Sequence, residues 1–218
     1  MMKIVAHLHV IVFLLCGVRI AAGAEELFRD EFKHQLGKDW VWIREDATNW
    51  RVGTNGLEIR PRPGNLWGPP NDARNVLTRP VAAPTNATLE ISVMVENHPS
   101  HQYEQANLAW YYDDRHMVKL GLELVDEKLC IVMGREEQDR TRTVALLPVA
   151  TNRVSLRLTV RDHSLRGDYQ LGDEPAWRTA GQCTLPVHGA PKISLQVYQG
   201  TETTAHWARF RDFVIRRR

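Results

Sequence analysis

The sequence predicts an all-β protein, an antiparallel two-sheet jelly-roll sandwich, and three observations carry that prediction. Short runs with apolar residues at every second position recur along the chain, the mark of half-buried strands whose side chains alternate between two faces. Clusters of Gly, Pro, Asn and Asp separate these runs at close intervals, as turns in an all-β domain do. Stretches of helical period are few, so two sheets closing on one core is the architecture that remains.

The elements follow in order. Trp40–Arg44 is the first alternating run, and Gly56–Arg60 follows the turn Gly53-Thr54-Asn55-Gly56. Pro61-Arg62-Pro63-Gly64 ends that second run, because proline donates no ladder hydrogen bond. Leu89–Glu96 alternates until Asn97-His98-Pro99-Ser100, and Ala106–Tyr112 and Met117–Val125 flank the turn Tyr112–His116. Asp126-Glu127 turns the chain into Leu129–Met133, Glu136-Glu137 reads as the next turn, and Thr141–Leu146 follows. Arg153–Val160 and Ser164–Gln170 precede the break Gly172-Asp173-Glu174-Pro175, and Lys192–Tyr198 and Trp207–Ile215 complete the set. A single helix is expected near Phe28–Leu36.

Residues 1–24 read as a signal peptide. Lys3 supplies a positive start, Ile4–Leu15 is mostly apolar, and Ala22-Gly23-Ala24 offers small residues for cleavage after Ala24. The apolar run is shorter than the roughly 20 residues that span a bilayer, so residues 25–218 are expected as one secreted or periplasmic domain. The chain has 28 Lys and Arg against 26 Asp and Glu, and cleavage would remove Lys3 and Arg19 and leave the charges balanced. Balanced charge argues against nucleic acid, whose phosphates require a basic stripe. Cys130 and Cys183 remain in the mature chain; export permits a disulfide between them, and nothing in the sequence brings them together.

Alternation divides the central strands into a core face, with Ala106, Leu108, Trp110, Leu120, Leu122 and Leu124, and an opposite face with Gln105, Asn107, Tyr111, Lys119 and Glu123. Amide, phenol, ammonium and carboxylate groups on one sheet face suit the hydroxyls of a sugar, and they also suit an ordinary solvated sheet. Arg60 and Arg62 share the parity of Glu58 and are candidates to join that face, since a guanidinium fork suits vicinal hydroxyls. An ion-pair ladder is their structural alternative. Trp67 lies in a loop with no periodic reason for burial, and Trp42 shares a face with Arg44. Both rings are candidates to stack on sugar C–H faces.

Several motifs occur together in order and spacing: Asp39-Trp40-Val41-Trp42-Ile43-Arg44-Glu45-Asp46, Trp50, Leu57-Glu58-Ile59-Arg60, Asn75-Val76-Leu77, Gln105-Ala106-Asn107-Leu108, Tyr111-Tyr112-Asp113-Asp114, Met117-Val118-Lys119-Leu120-Gly121 and Ala208-Arg209-Phe210. Together they resemble the concanavalin A-like, laminin-G-like sandwich that lies C-terminal to the catalytic module of many β-xylosidases. The resemblance implies a β-sandwich linked to carbohydrate, with a separately encoded glycosidase as a candidate partner. The propeller that carries that family's catalytic carboxylates has no counterpart in this sequence, so none of them is carried over.

Carbohydrate binding on a concave sheet face is therefore the expected function, through Trp42, Arg60, Arg62, Trp67, Gln105, Tyr111, Lys119 and Glu123. The alternative is a small glycoside hydrolase or lyase that uses Glu123 or Glu45 as acid/base. Hydrolysis usually needs two carboxyls across the bond, and the nearest pairings are Glu90 with Glu96 and Glu45 with Glu58 or Glu123. The sequence has no G-x-S-x-G elbow, and Pro99 within His98-x-x-His101 favours a loop over a metal site. No cofactor is called for; a structural calcium ion is the candidate, with Asp30, Asp113 and Asp212 as donors.

Overall fold

The computed structural model describes residues 24–84 and 86–218, so the expected signal segment lies outside the described residues except for Ala24. The chain forms strands β1 (Glu25–Asp30), β2 (Val41–Ile43), β3 (Trp50–Gly53), β4 (Gly56–Ile59), β5 (Val76–Pro80), β6 (Leu89–Glu96), β7 (Gln105–Asp113) and β8 (His116–Val125). It continues through β9 (Lys128–Glu137), β10 (Arg140–Pro148), β11 (Arg153–Arg161), β12 (Ser164–Leu171), β13 (Arg178–Thr184), β14 (Lys192–Tyr198) and β15 (Ala208–Arg217). One sheet has the order β13-β12-β11-β6-β15-β4-β3 with β1 also paired to β15; the other has the order β10-β9-β8-β7-β14-β5-β2. Every pairing is antiparallel, as the sequence predicts. Among the described residues no helix is long and apolar enough to cross a membrane.

The core lies between the sheets. Leu89, Ile91, Val93 and Val95 of β6 and Val154, Leu156, Leu158 and Val160 of β11 face Leu108, Trp110, Leu120, Leu122 and Ile131 of the other sheet. β6 and β11 alternate strictly between buried and partly exposed positions, as strands with one wet face do. On the wet face, Arg51, Glu58, Arg209, Glu96 and Arg153 stand in register on five neighbouring strands. Arg51 Nε lies 2.5 Å and Arg209 Nη2 2.7 Å from Glu58. Burial works to raise the Glu58 carboxyl, and the Arg209 and Arg51 guanidiniums outweigh it and hold it below the ordinary range.

β7 and β8 behave differently: Gln105 to Tyr112 and Met117 to Leu122 are buried on both faces. The outer face of the second sheet is therefore covered. Its cover is the connection between β4 and β5, residues 60–75, whose Leu66 and Ala73 pack with Val76, Tyr111, Met117 and Tyr198 in a second apolar cluster.

Two expectations are corrected. Phe28–Leu36 is not helical: β1 occupies its start, and the Asp30 carboxylate accepts from the backbone N–H of Phe32 (2.7 Å) and of Gly37 (2.7 Å) and from Trp40 Nε1 (2.9 Å). These bonds fold the segment into a loop that seats Phe32 and Trp40 against Phe213. Glu136-Glu137 is not a turn but the end of β9. Asp126-Glu127 does turn the chain, with both residues at positive φ. Cys130 and Cys183 are both buried and free.

Candidate functional site

The covered face is built from four strands in register. Tyr198 of β14, Gln105 of β7 and Glu123 of β8 stand side by side, and Gln196, Asn107 and Gly121 form the next row. Lys119 stands one row further, opposite Ala109 and Gly134. Its side chain runs back along β8, and Nζ donates to Gln105 Oε1 and, at 3.1 Å, to Glu123 Oε2. Asn107 Nδ2 donates to the same Gln105 oxygen at 3.1 Å, and Gln105 Nε2 donates to the Tyr103 carbonyl at 2.9 Å.

Two glycines make room for this arrangement. A Cβ on Gly121 would lie 1.9 Å from Asn107 Oδ1, and one on Gly134 would lie 2.4 Å from Trp67 Cη2. Glycine inside a strand commonly marks such a close approach. With no side chain at position 134, the Trp67 indole stands on the sheet itself, its ring centroid 4.6 Å from Lys119 Nζ. That distance is within cation–π reach.

The connection that carries Trp67 is held at many points. Asn65 brackets Trp67 with its side chain, accepting from the Trp67 N–H and donating to its carbonyl, both at 2.9 Å. Gly68 N–H points at both Glu136 oxygens, at 3.1 and 3.2 Å, and Asn71 Nδ2 donates to Asp139 at 2.9 Å. Arg44 donates to the Ala73 carbonyl at 2.6 Å and forks onto Asp114, which also accepts from Tyr111. The cover is thus preorganised.

Between cover and sheet lies a cavity of about 410 Å³. Gln105, Lys119, Glu123 and Val132 form its floor, Trp67, Asn65 and Gln199 its walls, and Tyr103, Thr143 and Leu146 its rim. Burial pulls the Lys119 ammonium below its ordinary value, and the Glu123 charge opposes that shift. Burial also pushes the Glu136 carboxyl up to about 7; the Gly68 N–H resists, the Asp139 charge adds to the rise, and Lys119 opposes it. On the same face Asn107 Oδ1, Gln196 Oε1, Ser194 Oγ and Tyr198 OH are buried without a protein hydrogen-bond partner. None of these four residues lines the cavity; hydroxyl-rich chemistry suits the floor groups Gln105, Lys119 and Glu123, where donors and acceptors alternate over a short distance.

Four residues singled out in the sequence meet here: Trp67, Gln105, Lys119 and Glu123. Four others do not line the cavity. Tyr111 is on the same face but lies beneath the cover, with its hydroxyl on Asp114. Trp42 pairs with Leu77 on the core side of β2 and lies against Trp50, the rings tilted by 37° with centroids 4.7 Å apart. Arg60 leaves β4 in the other sheet and lies over the Trp207 ring at 4.4 Å, and Arg62 is paired with Glu202. Glu45 is exposed and accepts from Trp50 Nε1 at 3.0 Å. Among the described residues no group of three or more His, Cys, Asp or Glu is placed to hold a metal ion; Asp113 bonds to Arg115 and His116, and Asp212 is exposed at a bulge in β15.

Sequence reasoning passed over Glu136, Tyr198, Gln196 and the two strand glycines. The even positions of Lys192–Tyr198 are Lys, Ser, Gln and Tyr, so the same alternation argument would have found the β14 row.

Two packed antiparallel sheets in this order, covered on one outer face, are the concanavalin A-like sandwich. The chain belongs to the beta xylosidase C-terminal concanavalin A-like domain family, whose model matches residues 29–190. It is similar to the xyloglucan PUL GH43B of Bacteroides ovatus (TM-score 0.74, 20% identity) and to the K247S mutant of the GH43 protein BlXynB of Bacillus licheniformis (TM-score 0.73, 20% identity). Each match covers 86% of this chain and 38% of the other, so the chain spans well under half the length of those proteins. The CBM2 module of the evolved Dit of Lactobacillus casei BL23 phage J-1 is matched over 88% of this chain and 95% of its own (TM-score 0.59, 8% identity). At these identities the likeness is one of fold. A search of curated proteins gives no match.

Proposed function

We propose that this protein is an exported carbohydrate-binding sandwich that holds sugar in the cavity beneath Trp67. The observation that carries this reading is the hydrogen-bonded trio of Gln105, Lys119 and Glu123 on the cavity floor beside an indole. Three polar types within reach of one another can donate to and accept from neighbouring hydroxyls, while the ring and Val132 offer apolar contact to C–H faces. The Lys119 charge is answered by Glu123, which favours neutral sugars. Export rests on the pattern of residues 1–24. The carbohydrate link of the family supports the class of ligand.

Catalysis has less support. Glu123 is the one carboxylate among the described residues lining the cavity, and its nearest partner is an ammonium, whereas glycoside hydrolysis usually works between two carboxyls. Isothermal titration of the secreted protein with neutral xylo-, arabino- and gluco-oligosaccharides tests the proposal. Binding on the order of 1 mM or tighter, lost in Trp67→Ala with the fold intact, is the expected result. No heat with any glycan would end the proposal; turnover by the parent that Glu123→Gln abolishes while binding survives would replace it with the enzyme reading.

A further inference from the structure

We infer that the cavity takes the end of a glycan chain and excludes its middle, an inference that rests on the carbohydrate reading of the same site. A sandwich that grips the interior of a polymer needs a trough open at both ends, and this cavity is closed on two sides, one by the packed side chains of the cover and one by a backbone seam.

The first closure is the cover. Trp67 stands on Gly134, Gly68 is bonded to Glu136, and Leu66 and Ala73 fill the face beyond against Tyr111 and Met117. A chain running along β8 past Lys119 would meet that apolar plug. The second closure is a seam along β14. Gln199 N–H donates to the Gly64 carbonyl at 3.2 Å, and Gly200 N–H donates to the Arg62 carbonyl at 3.1 Å. The seam is tight: a Cβ on Gly200 would lie 2.5 Å from the Pro61 carbonyl group, and Tyr198 beneath it is fully buried. A chain crossing the strands toward β14 would meet that seam.

What remains is a mouth on the side of β10 and the β8–β9 turn, bordered by Tyr103 at 49% and Leu146 at 47% exposure. The cavity volume is near the lower end of small-molecule pockets, room for one or two sugar rings and not a run of them. The terminal unit would reach Gln105, Lys119 and Glu123, and the next would leave over Tyr103 or Leu146.

The test compares equal masses of one neutral polysaccharide before and after partial cleavage to shorter chains, using a polymer on which titration has shown binding. Depletion assays with the full secreted protein read the binding capacity per gram, with a matching free disaccharide as competitor. The inference expects capacity to rise by the same factor as the number of chain ends, and the disaccharide to displace the protein completely. Capacity that follows mass regardless of ends, or affinity that keeps rising as oligosaccharides lengthen beyond the disaccharide, would overturn it while leaving carbohydrate binding in place. Absence of binding to any glycan would overturn both.

Discussion

Replacing Glu136 with glutamine is expected to stabilise the protein in alkaline solution and to leave it nearly unchanged in acid. The side chain is fully buried, and burial, reinforced by Asp139, lifts its carboxyl from 4.5 to about 7 against the opposing Gly68 N–H and Lys119. Between those values the folded protein holds a proton that the unfolded chain has released. Stability contributed by this group is therefore complete below about pH 4.5, falls as pH rises toward 7, and is level above that. A shift of that size corresponds to at most about 3 kcal/mol. Glutamine keeps the shape and an acceptor for Gly68 N–H, and it removes the charge. Urea unfolding of parent and variant from pH 4.5 to 8.5 isolates the effect, because the other titrating groups cancel in the difference. The variant should match the parent within about 0.5 kcal/mol at pH 4.5 and exceed it by about 2–3 kcal/mol at pH 8.5. A difference that does not change with pH, or a variant weaker at pH 8.5, would show that the ionised carboxylate is well accommodated and refute the reasoning.

Two further substitutions probe the covered sheet face. Gly121→Ala places a methyl 1.9 Å from Asn107 Oδ1 and 2.8 Å from the Ala106 carbonyl oxygen, so thermal unfolding should show a loss of about 1–3 kcal/mol from overpacking; an unchanged melting temperature would mean that Asn107 is free to swing away. Lys119→Met leaves the buried Glu123 carboxylate without its cation, which should cost about 3–5 kcal/mol at pH 8. Much of that should return in the double variant Lys119→Met/Glu123→Gln, and a double variant no better than the single would deny the coupling.

The central strands were legible because alternation decides which face a residue takes once a strand is recognised. Ala106, Leu108, Trp110, Leu120 and Leu122 are all in the core, and Gln105, Lys119 and Glu123 share the other side. Parity does not say to which sheet a strand belongs, and that is why Arg60 was misplaced: β4 joins the sheet of β15, away from β7 and β8. Trp42 differs for another reason: it shares a face with Trp40, and that face is the core, whereas Arg44 lies past the end of β2 at positive φ and reaches Asp114 beside Tyr111 on the other side. Tyr111 was on the expected face and is walled off by Leu66 and Ala73, a tertiary fact that no local pattern encodes. Glu136 was hidden because two adjacent acids read as a turn, whereas the Gly68 N–H of the cover makes a place for one of them inside β9. The strands β1, β3, β5 and β13 have no clear alternation of their own: β1 and β5 take their register from β15 and β14, far away in sequence, while β3 is four residues long and β13 is an edge strand, each paired to its chain neighbour.

The most direct measurement follows the indole N–H signals of the seven tryptophans by NMR while a neutral oligosaccharide is titrated in. With sugar held beneath Trp67, the Trp67 signal and the side-chain amide of Gln105 move together along one saturable curve, while those of Trp177 and Trp207 stay in place. Saturable shifts confined to Trp207 or Trp177, with Trp67 unmoved, would place the sugar elsewhere and contradict binding beneath Trp67.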